Sequence, residues 1–468
     1  MPEEIQESLR SLPSVTSLLS SQTAAHWLRL HPQPLVAQCL RRAVEEVRRQ
    51  ILAGAAGAVA QCPGADAVLE RAGQFLRRAT EPRIREAINA TGIILHTGLG
   101  RAVLPGKVVD SMIAELKGCC TLAVERESGE RAERDELIEY ILTELTGAEA
   151  ATVVNNNAAA TVLVLAALAA HKEVIVSRGQ LIEIGGSFRL PDVMAQSGAR
   201  LVEVGATNRT HLKDYQMAVT ENTAAILRVH PSNYRVVGFT SEVPLRELAA
   251  LAGQRHLILI DDLGAGALLD LNRFGLPHEP TARESIENGA DVVLFSGDKL
   301  IGAAQCGVIV GRKVLIEKVR KHPLMRAVRV DKMCLMVLER TLHLFRDPAR
   351  LVDEHPTFRM ACAPLDVVKS RAENLAGLLA AQAPNVKVQI RQSQAFLGSG
   401  SLPNQAIPSF ELMIAVPDMS ADALARALRL DDACVFGRIQ DDCVRLDVRT
   451  VTDEQLPAIA AALGRLAS

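Results

Sequence analysis

The chain has 468 residues, 48% of them hydrophobic and 23% charged, with a net charge of -2. That length exceeds one ordinary hydrophobic core and implies two to four domains. The near-neutral balance excludes a globally basic nucleic-acid binder but leaves room for a local basic patch.

The opening Met1-Pro2-Glu3-Glu4 lacks the apolar core of a secretory signal. Residues 1–85 read as a helical domain. Leu9, Leu12, Val15, Leu18 and Leu19 recur at helix-like intervals, interrupted by Pro13. Pro34 to Ala60 is an amphipathic helix candidate with Val36, Leu40, Val44 and Val47 on one side, stopped by Cys62-Pro63-Gly64. Arg41, Arg42, Arg48, Arg49, Arg71, Arg77, Arg78, Arg83 and Arg85 mark this segment. They fit an RNA-facing patch or a solvated helical surface, and charge alone does not separate the two. Pro82 suggests a hinge into the next domain.

From residue 86 the pattern becomes short apolar runs alternating with helical stretches. The strand candidates are Ala151–Val154, Val174–Ser177, Leu201–Gly205, Ala224–His230, Leu257–Asp261 and Val292–Phe295. Helix candidates such as Leu212–Val219 and Leu245–Ala252 lie between them. This is the signature of an α/β domain with a mainly parallel sheet covered on both faces, whose catalytic residues sit at the carboxyl ends of strands. The longest apolar run, Val162–Ala170, is too short to span a membrane. A helical stretch from Val314 to about Phe345 closes the domain at 86–345. Residues 346–468, set off by Pro348 and Pro356, carry strand candidates Val386–Ile390, Phe410–Ala415 and Cys443–Val448. Helices are expected near Ala421–Leu428 and Gln455–Leu466, which makes a small α+β domain. Nine scattered cysteines, with no CxxC pair and no metal-ligand spacing, imply reduced thiols, a cytoplasmic location and no bound metal.

Three segments carry chemistry. Phe295-Ser296-Gly297-Asp298-Lys299 places a lysine where a buried strand ends. Desolvation there disfavours the ammonium form and frees the amine for Schiff-base chemistry. Ser296, three residues earlier, can reach a cofactor phosphate; an isolated S-x-x-K is otherwise an ordinary surface loop. Upstream, Ile258-Leu259-Ile260-Asp261-Asp262-Leu263-Gly264 ends a strand in two acids. Either can hold a pyridine nitrogen protonated, or merely cap a helix. Val153-Val154-Asn155-Asn156-Asn157-Ala158-Ala159 joins a strand end to a small-residue helix start, where free N–H groups can cradle a phosphate or the Asn side chains can cap the helix. The cofactor-binding candidates are thus Asn156, Asn157, Ala158, Asp262, Ser296 and Lys299. Their order resembles that of the large domain of fold type I enzymes using pyridoxal 5'-phosphate (PLP). Thr97-Gly98-Leu99-Gly100-Arg101 is glycine-rich but follows no clear strand, so it is weak as a dinucleotide motif.

Together with these segments, Ile88-Asn89-Ala90-Thr91-Gly92, His96-Thr97, Leu99-Gly100-Arg101, Glu183-Ile184-Gly185-Gly186-Ser187-Phe188 and His230-Pro231-Ser232-Asn233-Tyr234 resemble bacterial selenocysteine synthase, the seryl-tRNA selenium transferase family. The resemblance runs essentially end to end and includes Leu12-Pro13-Ser14-Val15. It implies PLP held by Lys299, with Asp262 facing the pyridine nitrogen. It also implies that Arg101, Arg326 and Arg329 act with Lys299 in the catalytic pocket and receive an anionic selenium donor, selenophosphate. The implied reaction is dehydration of seryl-tRNA(Sec) to a dehydroalanyl intermediate, followed by addition of selenium to give selenocysteinyl-tRNA(Sec). A homodecamer built from dimers and an N-terminal tRNA-binding domain are implied as well. Arg326 and Arg329 lie three apart beyond Pro323, a spacing that one helical turn would align; without the resemblance they read as a surface basic cluster. The sequence departs from the family pattern at Gly98, Ala132, Ala206, Ala265 and Ala303-Ala304. Two other readings use the same residues: a PLP enzyme acting on a free amino acid or amino sugar, and an inactive tRNA-binding scaffold.

Overall fold

The computed structural model describes residues 3–53, 64–134, 136–184, 188–231, 234 and 236–467. The chain divides into two compact units, Met1–Glu86 and Ala87–Ser468. Each has its own core.

The first unit contains helices α1 (Glu3–Arg10), α2 (Val15–Leu19), α3 (Gln22–Leu30), α4 (Gln33–Ala53) and α5 (Ala65–Thr80). The chain turns at Pro13, and Ser14 and Ser21 accept the first free N–H groups of α2 and α3 at 3.1 Å. Along α4, Val36, Leu40, Ala43 and Val47 are buried at helical spacing against Val68, Leu69, Ala72, Phe75 and Leu76 of α5. Val44 is only partly buried. Arg41, Arg42, Arg48, Arg49, Arg77 and Arg78 are exposed, and the Arg42 guanidinium lies 4.3 Å from the centre of the Phe75 ring. Residues 54–60 of the expected helix, with Cys62 and Pro63 of its three-residue stop, lie outside the described residues; Gly64 is the N-cap of α5.

The second unit is built on a seven-stranded sheet. In chain order its strands are β1 (Ala150–Val154), β2 (Glu173–Ser177), β3 (Arg200–Val204), β4 (Thr223–Val229), β5 (Ile258–Gly264), β6 (Val292–Ser296) and β7 (Gly307–Gly311). Their spatial order is β1-β7-β6-β5-β4-β2-β3. All pairs are parallel except those of β7, which runs antiparallel between β1 and β6. Successive residues enter different cores: Val153, Val293, Phe295 and Val308 on one face, Val154, Val292, Leu294 and Ile309 on the other. Two-sided burial is why these strands are continuous apolar runs without polar alternation. Helix α6 (Asn157–Ala169) follows β1, and the expected helices near residues 212 and 245 span Leu212–Ala218 and Leu245–Arg255.

A separate core gathers around an antiparallel sheet of order β8-β9-β11-β10, formed by β8 (Lys387–Gly398), β9 (Ser401–Ala415), β10 (Arg438–Gln440) and β11 (Cys443–Asp447). After β7 the chain forms α7 (Lys313–Lys321), α8 (Leu324–Ala327) and α9 (Lys332–Leu344), and then α10 (Leu365–Gln382), a helix absent from the sequence expectation, covers the antiparallel sheet. Val368, Ala372, Leu375 and Leu379 of α10 are buried there. Ile88 and Ala90, from the start of the unit, join the same core, because Ile88–Asn89 pairs in parallel with Val435–Phe436.

Candidate active site

The carboxyl ends of β1, β4, β5 and β6 supply the chemistry. Parallel order puts these ends on one edge of the sheet. Antiparallel β7 brings its first residue there too, since Gly307 pairs with Val154 on one side and Ser296 on the other.

Ser296 is the last residue of β6 and is buried. The chain then turns through Gly297–Leu300 and is pinned by backbone bonds: Gly297 N–H to Cys306 O and Ala303 N–H to Gly297 O at 2.9 Å, and Gly302 N–H to Lys299 O at 3.0 Å. These hold Lys299 inside, with only 6% of it exposed. Burial pushes its amine below the ordinary lysine range, and the Arg101 guanidinium pushes the same way. Asp298, Asp262 and Glu279 oppose them. Arg101 donates to Asp298 at 2.8 Å, so one of the expected arginines stands directly beside the lysine loop. It holds a left-handed backbone, φ 63°, which a long side chain adopts at a cost.

Of the two strand-end acids, Asp262 is the one whose charge acts on the lysine. Its carboxylate accepts from Asn157 Nδ2 at 2.8 Å, Thr161 Oγ1 at 3.2 Å and Gly264 N–H at 3.2 Å. Burial raises its carboxyl above the ordinary range, while these bonds and the charge of Lys299 pull it back. Asp261 points the other way, into an ion pair with Arg228 at 2.8 Å and a bond from Ser285 at 2.7 Å. The expected cradle splits its tasks. Asn156 Oδ1 caps α6 by accepting Ala159 N–H at 2.8 Å, whereas Asn157 reaches across to Asp262. Asn156, Asn157 and Ala158 are all half-buried at this helix start. Asn157 Oδ1 is buried without a partner among the described residues.

Arg326 and Arg329 line one cavity of about 580 Å³ with Arg134, Arg320, Lys321 and His322, tempered by Glu133 and Glu317. Arg101 is not part of its lining. One helical turn does not align the pair as the spacing suggested: α8 ends at Ala327, and Arg329 is placed by bridging Val154 while Val328 O accepts Asn155 N–H at 2.9 Å.

Sequence reasoning missed Thr161, Asp298, Glu279 and the role of Asn157 toward Asp262. Thr161 was within reach, being one helical turn from Asn157; the others depend on contacts distant in sequence. Ala265 and Ala303 are buried, and their backbones brace the lysine loop, Ala265 O accepting Leu300 N–H at 3.4 Å. Gly185, Gly186, Ser187, Ser232 and Asn233 of the resemblance motifs lie outside the described residues. Among the described residues there is no cluster of three or more His, Cys, Asp or Glu able to hold a metal, no helix long and apolar enough to cross a membrane, and eight free cysteines.

The family model for L-seryl-tRNA selenium transferase matches residues 87–452. Proteins named L-seryl-tRNA(Sec) selenium transferase from Methylocella silvestris and Rhizobium meliloti are 47% and 44% identical, each over 95% of both chains. That from Geobacter sulfurreducens is 43% identical over 98% of this chain and 99% of its own. Among solved structures, D-glucosaminate-6-phosphate ammonia-lyase superposes with a TM-score of 0.56 at 21% identity, covering 82% of this chain and 96% of that one, a likeness of fold alone.

Proposed function

The chain belongs to the L-seryl-tRNA selenium transferase family, and we propose that it converts seryl-tRNA(Sec) to selenocysteinyl-tRNA(Sec) with PLP as cofactor and selenophosphate as selenium donor. One observation carries the reading: a buried Lys299 interacts electrostatically with a buried Asp262 that Asn157 and Thr161 hold in place. That donor set fits PLP. Lys299 offers an amine to the aldehyde, Asp262 a carboxylate to the ring nitrogen, and the start of α6 with Ser296 offers donors to the phosphate. The unpartnered Asn157 Oδ1 beside them agrees with a polar group expected there. When bound, the cofactor supplies a sink for the electrons left at the substrate Cα.

The chain's own residues do the rest. Desolvation keeps a fraction of Lys299 neutral, so that it takes the Cα proton of the seryl group. Asp262 stays in register through its two side-chain donors. Arg326 and Arg329 present forked guanidinium groups to the phosphate-like donor, and Arg101, tied to Asp298, sets charge at the lysine loop. We assign residues 1–85 to tRNA binding, 86–345 to the catalytic domain and 346–468 to a small α+β domain, in a cytoplasmic homodecamer.

The test is incubation with serylated selenocysteine tRNA and selenophosphate, with mass analysis of the esterified amino acid. Selenocysteine is the expected product. Serine recovered unchanged, from a protein that binds both PLP and the tRNA, would sink the reading. Borohydride reduction should fix PLP to the peptide containing Lys299 and leave Lys299→Ala unlabelled.

A further inference from the structure

Loss of the seryl hydroxyl needs two proton transfers, one from Cα and one to the departing oxygen, because hydroxide is a poor leaving group near neutral pH. Lys299 accounts for the first. For the second, the structure pairs His230, part of a resemblance motif, with Glu279, which the sequence reading missed. His230 follows the last residue of β4, and its N–H donates to the backbone oxygen of Asp262 at 2.8 Å. Its ring Nε2 lies 3.5 Å from Oε1 of Glu279. The Glu279 side chain is 5% exposed and that of His230 18%. Glu279 Oε1 has no hydrogen-bond partner among the described residues, and the same carboxylate acts electrostatically on Lys299. The pair thus sets a buried carboxylate behind a more accessible imidazole.

We propose that His230 delivers the proton to the departing seryl hydroxyl and that Glu279 is its positioning residue. This rests on the seryl-tRNA reading above. Lys299 Nζ takes the Cα proton, and the electrons of that C–H bond form the Cα=Cβ bond. The Cβ–O bond breaks with its electrons on oxygen, and the His230 proton completes a water molecule. When selenium adds at Cβ, Lys299 returns its proton to Cα. Hydrolysis of the donor's Se–P bond then consumes one water, releases phosphate and frees the proton that resets His230. Asp262, Asp298 and Arg101 are the other charged groups acting at this lysine.

The experiment compares wild type, His230→Gln, Glu279→Gln and Glu279→Asp on the same tRNA carrying either serine or 3-chloroalanine, trapping the eliminated product with a thiol. Chloride leaves without a proton. His230→Gln should slow elimination from the seryl ester by about a hundredfold or more and that from the chloroalanyl ester by no more than about threefold. Glu279→Gln should follow with a smaller loss, partly restored in Glu279→Asp. Cofactor affinity of the apo-protein, by fluorescence titration, should stay within about twofold in every variant. Equal losses on both esters, or a tenfold weaker cofactor affinity, would overturn the proposal and make the pair structural. A wild-type protein inert toward both esters would instead overturn the underlying reading.

Discussion

Adjacent residues of a strand point to opposite faces, and that alone gives Asp261 and Asp262 different expected phenotypes. Asp262→Asn removes the charge that acts on Lys299 while Asn157 and Thr161 remain. The protein should fold and bind cofactor, yet exchange the substrate Cα proton for deuterium about a hundredfold more slowly. Asp261→Asn breaks a buried pair and leaves Arg228 uncompensated, so stability should fall by about 3–5 kcal/mol with exchange little changed. If the effects are reversed, the roles are reversed. His355 offers a pH test. Burial pushes its imidazole from 6.5 to about 4, and its Nε2 contacts Ile301 O at 2.8 Å. Between those values the unfolded chain binds more protons than the folded one. Stability therefore falls as pH drops through the window, by about 3 kcal/mol once below it. His355→Gln should flatten that part of the denaturation-midpoint profile relative to wild type; parallel profiles would contradict the assignment. Lys299 was legible in the sequence because burial of the strand before it is written in its residues. From the residues alone the choice between the two acids was not legible, since it depends on Asn157 and Thr161 of α6 reaching Asp262.

At the scale of elements, β7 is what the sequence reading lost. Its five residues, Gly307-Val308-Ile309-Val310-Gly311, are an apolar run bounded by glycines, which is a strand signal. Helix α10 was lost because alanines around its circumference blur the apolar stripe. The other six strands of this sheet were found because burial makes each strand a run and each turn a break. The β7 strand matters to the site: a Cβ on Gly307 would sit 2.3 Å from Asn156 O and 2.9 Å from Asn157 N. Gly307→Ala should push the first turn of α6 out of place and weaken cofactor affinity about tenfold, read by fluorescence titration of the apo-protein. An unchanged affinity would remove that turn from the cofactor site. Arg326 and Arg329 make the same point in reverse: spacing suggested a shared helix, and a bridge to Val154 supplies the alignment instead.

At the scale of the whole molecule, the first unit has its own core and an exposed set of arginines. Removing residues 1–86 should leave PLP binding intact and weaken tRNA binding by tenfold or more, and wild-type affinity should itself decline as salt rises. Equal tRNA affinity with and without the unit would defeat its assignment. Charge and helical spacing made the unit visible in the sequence, but not its partner, which came from resemblance. One feature of the sheet bears on how such a chain can diversify. Because β6 and β7 meet at Ser296 and Gly307, the lysine loop leaves and re-enters the fold at a single point, a short ring closed by the ladder itself. Added or deleted residues there have no slack to absorb them and would displace Lys299. A chain reconnected end to end and reopened inside this ring would keep all seven strands paired and still forfeit the lysine's address.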